Sequence, residues 1–153
     1  MRKMYCRTFQ SVLKFSIPFL PYRNPKIIGS VKGIPDILKK KKCHSVLIVT
    51  DKGIVSLGLI QRLKKALREN HIPYVIYDKT VANPTTTNVY EAAALYQSRH
   101  CSAIIGFGGG SSIDCAKAVG VKIARPNKSL AKMKGILKVH KKLPLLIAVP
   151  TTA

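Results

Sequence analysis

The sequence has very few acidic residues. Only 6 of its 153 residues are Asp or Glu, against 27 Lys and Arg, and its formal net charge is +21. Such an excess attracts nucleic acid, anionic membranes or phosphorylated ligands. The cations are scattered, however, and the one dense run, Lys39–Lys42, precedes an apolar segment. We interpret this run as a solvated helix end, where Lys complements the helix dipole, and keep a polyanion site as the alternative.

Long apolar runs and metal-ligand spacings are also missing. The apolar stretch 16–22 is short and contains Pro18 and Pro21, so it does not span a bilayer. The cysteines are Cys6, Cys43, Cys101 and Cys115. Without a CxxC spacing, they argue against a zinc ribbon or a disulfide framework and for reduced thiols in the cytoplasm. The 4 histidines are never three or four positions apart, so we predict no metal site and no catalytic residue in this chain.

Residues 1–24 form a basic segment, since the first acidic residue of the chain is Asp36. Within the segment, Phe9, Leu13 and Ile17 recur at helical spacing. A transit peptide or a membrane-surface helix has this pattern, but no cleavage site stands out. We therefore interpret residues 1–24 as an amphipathic extension that packs on the protein itself.

From residue 46 onward, short apolar runs alternate with helix-like segments. The predicted strands are Val46–Thr50, Tyr74–Tyr77, Ala103–Phe107 and Leu145–Val149. Helical spacing predicts helices over 59–67, 89–98 and 112–123, with room for another near 130–137. The first three strands start about 30 residues apart, which is the length of a βαβ unit. We predict an α/β domain over 25–153, with a doubly wound, mainly parallel sheet and helices on both faces.

The most informative segment is the turn after the third predicted strand, Gly108-Gly109-Gly110-Ser111. Glycines let the backbone turn tightly and let a phosphate approach the peptide N–H groups at the start of a helix. Ser111 is predicted to cap this helix, and Asp114 to complete a capping-box-like arrangement. The turn therefore predicts a diphosphate site; a glycine-rich turn without a ligand is the alternative.

Three other candidates also follow strand ends. Asp51 follows the first strand, where a carboxylate accepts hydrogen bonds from ribose hydroxyls and repels a 2′-phosphate, which favours NAD over NADP. Its alternative role, as an acid at a helix N-terminus, is compatible with this one. Asn83 follows the second strand, and Thr151 and Thr152 follow the fourth. In a parallel sheet all these positions lie at one edge, where ligands bind.

Four motifs together resemble the N-terminal domain of the iron-containing alcohol dehydrogenases. They are VLIVTDKG at 46–53, ANPT at 82–85, GGGSSIDCAK at 108–117 and AVPTTA at 148–153. The resemblance runs from about Pro25 to the last residue and implies a dehydroquinate synthase-like nucleotide-binding domain.

The resemblance also implies roles for individual residues. The family position that matches Asp51 lies near the adenosine ribose, and the position that matches Asn83 contacts the cofactor. The positions that match Gly109, Gly110 and Ser111 hold the diphosphate. Those that match Thr151 and Thr152 contact the nucleotide.

In that family, iron or another divalent metal is held by one Asp and three His of a C-terminal all-helical domain. Nothing in this sequence matches those ligands, so we expect a fragment that binds the dinucleotide but is inactive alone. The complete protein would interconvert a small alcohol and an aldehyde by hydride transfer with NAD(P). The missing helical domain is one expected partner, and a homodimer through this half is another.

Two other functions are compatible with part of the pattern. A glycerol-dehydrogenase or dehydroquinate-synthase type of enzyme shares the architecture and the glycine triplet, but Ser111 and the motifs at 83–85 and 150–153 favour the alcohol dehydrogenases. A basic nucleic-acid-binding protein would explain the charge. The sequence contains no recognition-helix motif or zinc finger that supports it, so no specific nucleic-acid partner is predicted.

Overall fold

The computed structural model describes residues 26–133 and 141–151. The predicted extension 1–24 and Thr152 lie outside the described residues, as does most of the helix predicted near 130–137. Among the described residues, no helix is both long and apolar enough to cross a membrane.

Within the described residues, four strands are interspersed with five α-helices. The strands are β1 (Val46–Val49), β2 (Tyr74–Tyr77), β3 (Ala103–Gly108) and β4 (Leu145–Pro150). The α-helices are α1 (Ile34–Lys40), α2 (Lys52–Ser56), α3 (Gln61–Glu69), α4 (Thr86–Ser98) and α5 (Gly110–Ala124). Short 3-10 turns occupy Val31–Gly33 and Leu130–Met133. Each strand lies within one residue of its predicted bounds. The helix predicted over 59–67 corresponds to α3, and the short helix α2 precedes that predicted range.

The four strands form one parallel sheet in the order β2-β1-β3-β4. Val46 lies opposite both Tyr74 and Ala103, so β1 is paired on both sides. The chain moves from β1 to β2 on one side and then returns past β1 to β3 and β4 on the other. The strand order therefore reverses between β1 and β3, which is where ligands bind in doubly wound sheets.

Two hydrophobic cores lie on opposite faces of this sheet. Val46 and Ile48 of β1 belong to the core that includes residues of α1, α2 and α3. Leu47 and Val49 belong to the second core, with residues of α4 and α5. All four side chains are fully buried, as expected of a parallel strand covered on both faces. The predicted doubly wound α/β fold is confirmed.

The Lys39–Lys42 run lies at the end of α1, as predicted. The helix ends at Lys40, and all four lysines are exposed to solvent. The ammonium group of Lys39 donates a hydrogen bond to Asn70 Oδ1 at 2.8 Å, so the run contributes one contact between α1 and the end of α3.

The close packing of α5 on β3 depends on Gly106. A Cβ at this position would lie 2.9 Å from Ala116 Cβ and 3.2 Å from Ile113 Cα. Because Ile113 would be met at its backbone, no side-chain rotation relieves the contact. This glycine therefore sets how closely the helix approaches the strand.

We predict that Gly106→Ala lowers the free energy of unfolding by about 1–3 kcal/mol, because overpacking forces the helix away from the strand. Urea unfolding followed by circular dichroism measures the change. Gly29→Ala is the matched control, since a Cβ there has no neighbouring atom within 4 Å. If the two variants were equally stable, the close packing at Gly106 would be contradicted.

Candidate functional site

Asp51 lies at the carboxyl end of β1 and starts helix α2. Its Oδ1 accepts a hydrogen bond from the Ile54 amide at 3.0 Å, which caps the helix. Its Oδ2 accepts a hydrogen bond from the Ser112 hydroxyl on α5 at 3.2 Å. The carboxylate therefore joins the elements that follow β1 and β3, at the point where the strand order reverses.

Gly108 ends β3 directly beside this hydrogen bond. Its φ of +136° is one that residues with a side chain rarely adopt. An added Cβ would lie 2.9 Å from Ser112 Oγ and 3.3 Å from Asp51 Oδ2. On the other side, the Gly108 carbonyl accepts a hydrogen bond from the Thr151 amide at 3.2 Å. The first glycine of the triplet is therefore required by packing within the protein.

The other two glycines face open space. Among the described residues, a Cβ at Gly109 or Gly110 would meet no other atom within 4 Å. Gly109 is the N-cap of the 15-residue helix α5, and no described side chain caps this helix end. The first amides of the helix have no partner within the helix, and the helix dipole adds positive potential there. An uncapped helix start behind open space fits a phosphate or diphosphate group.

The capping predicted for Ser111 and Asp114 is wrong. The helix begins at Gly110, after an extended Gly109 (φ −75°, ψ −175°), so Ser111 lies inside the first turn. Glycine is itself an accepted N-cap residue, and the helix therefore starts earlier than the serine. Asp114 is too far along the helix to reach its start. It is exposed and pairs with Lys117 at 2.9 Å.

Asn83 lies in the exposed turn between β2 and α4 and adopts a left-handed conformation, with φ of 55°. This turn is anchored at both ends. Lys79 forms an antiparallel bridge with Asp51 at its start. At its end, Thr85 and Asn88 form a reciprocal capping box on α4. The start of the turn thus lies beside Asp51, and Asn83 itself is exposed four residues later.

Asn88 is a buried residue that ties this turn to the sheet. Its amide group donates hydrogen bonds to the Lys79 carbonyl at 3.0 Å and to the Tyr77 hydroxyl at 3.1 Å. The Tyr77 hydroxyl in turn donates to Glu91 Oε2 at 2.8 Å. Burial, together with the Glu91 carboxylate, raises the pKa of Tyr77 to about 12 against the opposing effect of Asn88.

Two residues of this region, Ser112 and Asn88, are missed by the sequence analysis. Ser112 looks like a second helical serine, and only the packing of α5 shows that it contacts Asp51. Asn88 could have been suspected, because Thr85 and Asn88 have the spacing of a capping box.

Cys115, on the same helix as Ser112, is fully buried. Burial raises the pKa of its thiol, so it is not poised as a nucleophile.

A family model for the iron-containing alcohol dehydrogenases matches residues 26–153. The chain belongs to this family. It is 34% identical over 125 residues to the NAD-dependent methanol dehydrogenase of Bacillus methanolicus, covering 82% of this chain and 32% of that protein. The chain thus spans about a third of the length of such relatives, and the resemblance stated from the four motifs is confirmed.

Solved structures of alcohol oxidoreductases share the fold. A 1,3-propanediol oxidoreductase superposes with a TM-score of 0.76 at 31% identity, covering 81% of this chain and 32% of that one. A sulfoacetaldehyde reductase from Bifidobacterium kashiwanohense, solved in complex with NAD⁺, has a TM-score of 0.66 at 30% identity, covering 81% and 32%. The sheet and its helices are therefore those of the N-terminal domain of iron-containing alcohol dehydrogenases.

The iron of this family has no ligand set in the part of the chain that the structure describes. Within residues 26–133 and 141–151, no three His, Cys, Asp or Glu side chains are grouped so that they could hold a metal ion. Asp51 and Asp114, two acidic residues near the glycine turn, already bind Ser112 and Lys117 respectively. These residues do not fit the metal, and we assign it no role here.

We predict that Asn88→Ala lowers the free energy of unfolding by about 2–3 kcal/mol, because it removes a helix cap and leaves the Lys79 carbonyl without its partner. Denaturant unfolding measures the loss. Thr87→Ala, at an exposed neighbouring position, should change stability by no more than about 0.5 kcal/mol. A loss of the same size in both variants would show that the network at Asn88 has little importance.

Proposed function

We propose that this chain is the nucleotide-binding part of an iron-dependent alcohol dehydrogenase, with its diphosphate site at the start of α5. One observation carries the proposal. Gly109 and Gly110 face open space in front of an uncapped helix start, at the carboxyl edge of the sheet beside the strand-order reversal. Peptide N–H groups and the helix dipole are suited to a diphosphate there.

Other residues of the region would bind the rest of the nucleotide. Ser111 lies in the first turn of α5 and would contribute its amide and hydroxyl to the diphosphate. Thr151 is held against the glycine turn, and we propose that it contacts the nucleotide together with Thr152. Asn83 would reach the cofactor from the turn that starts beside Asp51. Asp114 is left out of the proposed site, because its exposed carboxylate pairs with Lys117.

Asp51 would favour NAD over NADP. Its carboxylate lies at the end of β1 next to Gly108, where the adenosine ribose of a bound dinucleotide would reach. A negative charge there accepts hydrogen bonds from ribose hydroxyls and repels a 2′-phosphate. The exposed Lys52 beside it reduces that repulsion, so binding of NADP would be weaker but not abolished.

The complete protein would interconvert an alcohol and an aldehyde. A metal held outside the described residues would supply Lewis-acid chemistry in such a protein, and the dinucleotide would carry the hydride. The described residues of this chain would contribute only cofactor binding and orientation. We further propose that a helical domain packs against the site in the complete protein, that the protein forms a homodimer, and that it works in the cytoplasm. The described cysteines, which form no disulfide, support the last of these.

We predict that Gly110→Glu weakens NADH binding at least about tenfold, because the new carboxylate occupies the open space and repels the diphosphate. Isothermal titration calorimetry on the 153-residue chain measures the dissociation constant. Gln97→Glu is the matched control. It adds the same charge at the exposed end of α4, next to the amino end of β3 at the opposite edge of the sheet, and should leave binding unchanged. Equal heats from Gly110→Glu and the unmodified chain would rule out the diphosphate site.

We predict that Asp51→Asn improves the binding of NADPH relative to NADH by about fivefold, because it removes the charge that faces the 2′-phosphate. Asparagine also caps helices, so α2 should keep its start. Fluorescence titration with both nucleotides gives the ratio of dissociation constants. Glu69→Gln serves as the control, since it removes one acidic charge at the end of α3, next to the amino end of β2. An unchanged ratio in Asp51→Asn would refute the role of Asp51 in discrimination.

A further inference from the structure

The Asp51 carboxylate has both of its oxygens bound by the protein. The Ile54 amide holds Oδ1 at 3.0 Å, and the Ser112 hydroxyl holds Oδ2 at 3.2 Å. Two hydrogen bonds from different elements fix both the position and the rotation of the group, which a single cap would leave free to turn.

Ser112 is suited to hold the carboxylate permanently. The residue is only 1% exposed, so water does not readily replace the hydroxyl. The backbone of Gly108 packs against this pair. A Cβ at Gly108 would lie 2.9 Å from Ser112 Oγ and 3.3 Å from Asp51 Oδ2, so no space for a side chain remains between them. The pair is therefore confined against the end of β3.

Ser112 also belongs to the helix that begins at the open glycine turn. It is the third residue of α5 and lies in the first turn, whose amides would bind the diphosphate. The same helix thus presents the diphosphate site and orients the acid at the ribose end. A displacement of α5 would change both.

On the basis of the proposed function, we propose that Ser112 is a positioning residue that sets the discrimination between NADH and NADPH by orienting the Asp51 carboxylate. Its side chain makes no contact with the nucleotide itself. Its hydroxyl keeps the negative charge at the ribose end, so that the 2′-hydroxyl is accepted and a 2′-phosphate is repelled.

The test compares the dissociation constants of NADH and NADPH for the unmodified chain, Ser112→Ala, Asp51→Asn and the double variant. Ser112→Ala should lower the ratio of the NADPH to the NADH constant by about threefold, because a charged hydrogen bond that orients the acid is lost. In the Asp51→Asn background the same substitution should leave the ratio unchanged, since no charge remains to be oriented. Ser112→Cys, which keeps a weak donor, should give an intermediate ratio.

Ser111→Ala is the matched control on the same helix. Because Ser111 belongs to the proposed diphosphate site, Ser111→Ala should weaken the binding of both nucleotides equally. The ratio of their dissociation constants should stay unchanged. If Ser112 had a merely structural role, Ser112→Ala would also weaken the binding of NADH and NADPH equally. Equal weakening of the two nucleotides, in both the unmodified and the Asp51→Asn backgrounds, would therefore overturn the inference. Failure of the unmodified chain to bind either nucleotide would instead overturn the proposed function and the inference with it. Binding with an unchanged ratio in Ser112→Ala and Ser112→Cys would overturn the inference alone.

Discussion

The hydrogen bond from Ser112 to Asp51 joins the two halves of the sheet's ligand edge. Asp51 begins α2, which packs on one face of the sheet, and Ser112 belongs to α5, which packs on the other. The loops that leave β1 and β3 therefore diverge to opposite faces, and this contact holds their starting points together. A crevice opens at such a point in every doubly wound sheet, but its width depends on what bridges it. Here the bridge is a serine and a carboxylate packed against the backbone of Gly108.

The glycine triplet has two separate physical functions. Gly108 cannot carry a side chain, because its φ is positive and Ser112 and Asp51 occupy the space beside it. Gly109 and Gly110 could carry one without a clash in the protein itself. Glycine is an accepted N-cap residue at 109, and under the proposed function the space at both positions would admit a diphosphate, whose charge this helix end favours.

Charge acts on two length scales in this molecule. The net charge of +21 raises the local concentration of any anion, including a dinucleotide, without distinguishing among them. Discrimination requires a negative charge at a defined place, and Asp51 is one of only 6 acidic residues. Because it is fixed by two hydrogen bonds, under the proposed function its repulsion would act on one part of the ligand while the general attraction remains.

The local sequence was sufficient to determine the strands and the glycine turn. Continuous β-branched runs such as Val46–Thr50 favour buried strands whatever surrounds them, and three glycines before an amphipathic segment favour a strand-to-helix turn. The local pattern also identified Asp51 as an acid at a helix start. Because the carboxyl ends of parallel strands meet at one edge, the sequence alone predicted that Asp51, Gly108 and Thr151 would lie at the same edge.

Only the tertiary structure decided where α5 begins and which serine matters. Ser111 and Ser112 are equivalent in sequence terms, and both are compatible with a helix start. The extended backbone at Gly109 begins the helix before either serine. The packing of α5 on β3, which is close at Gly106, then buries Ser112 against Asp51. These partners are 61 positions apart, and no local pattern encodes a contact that depends on how a helix and a strand pack.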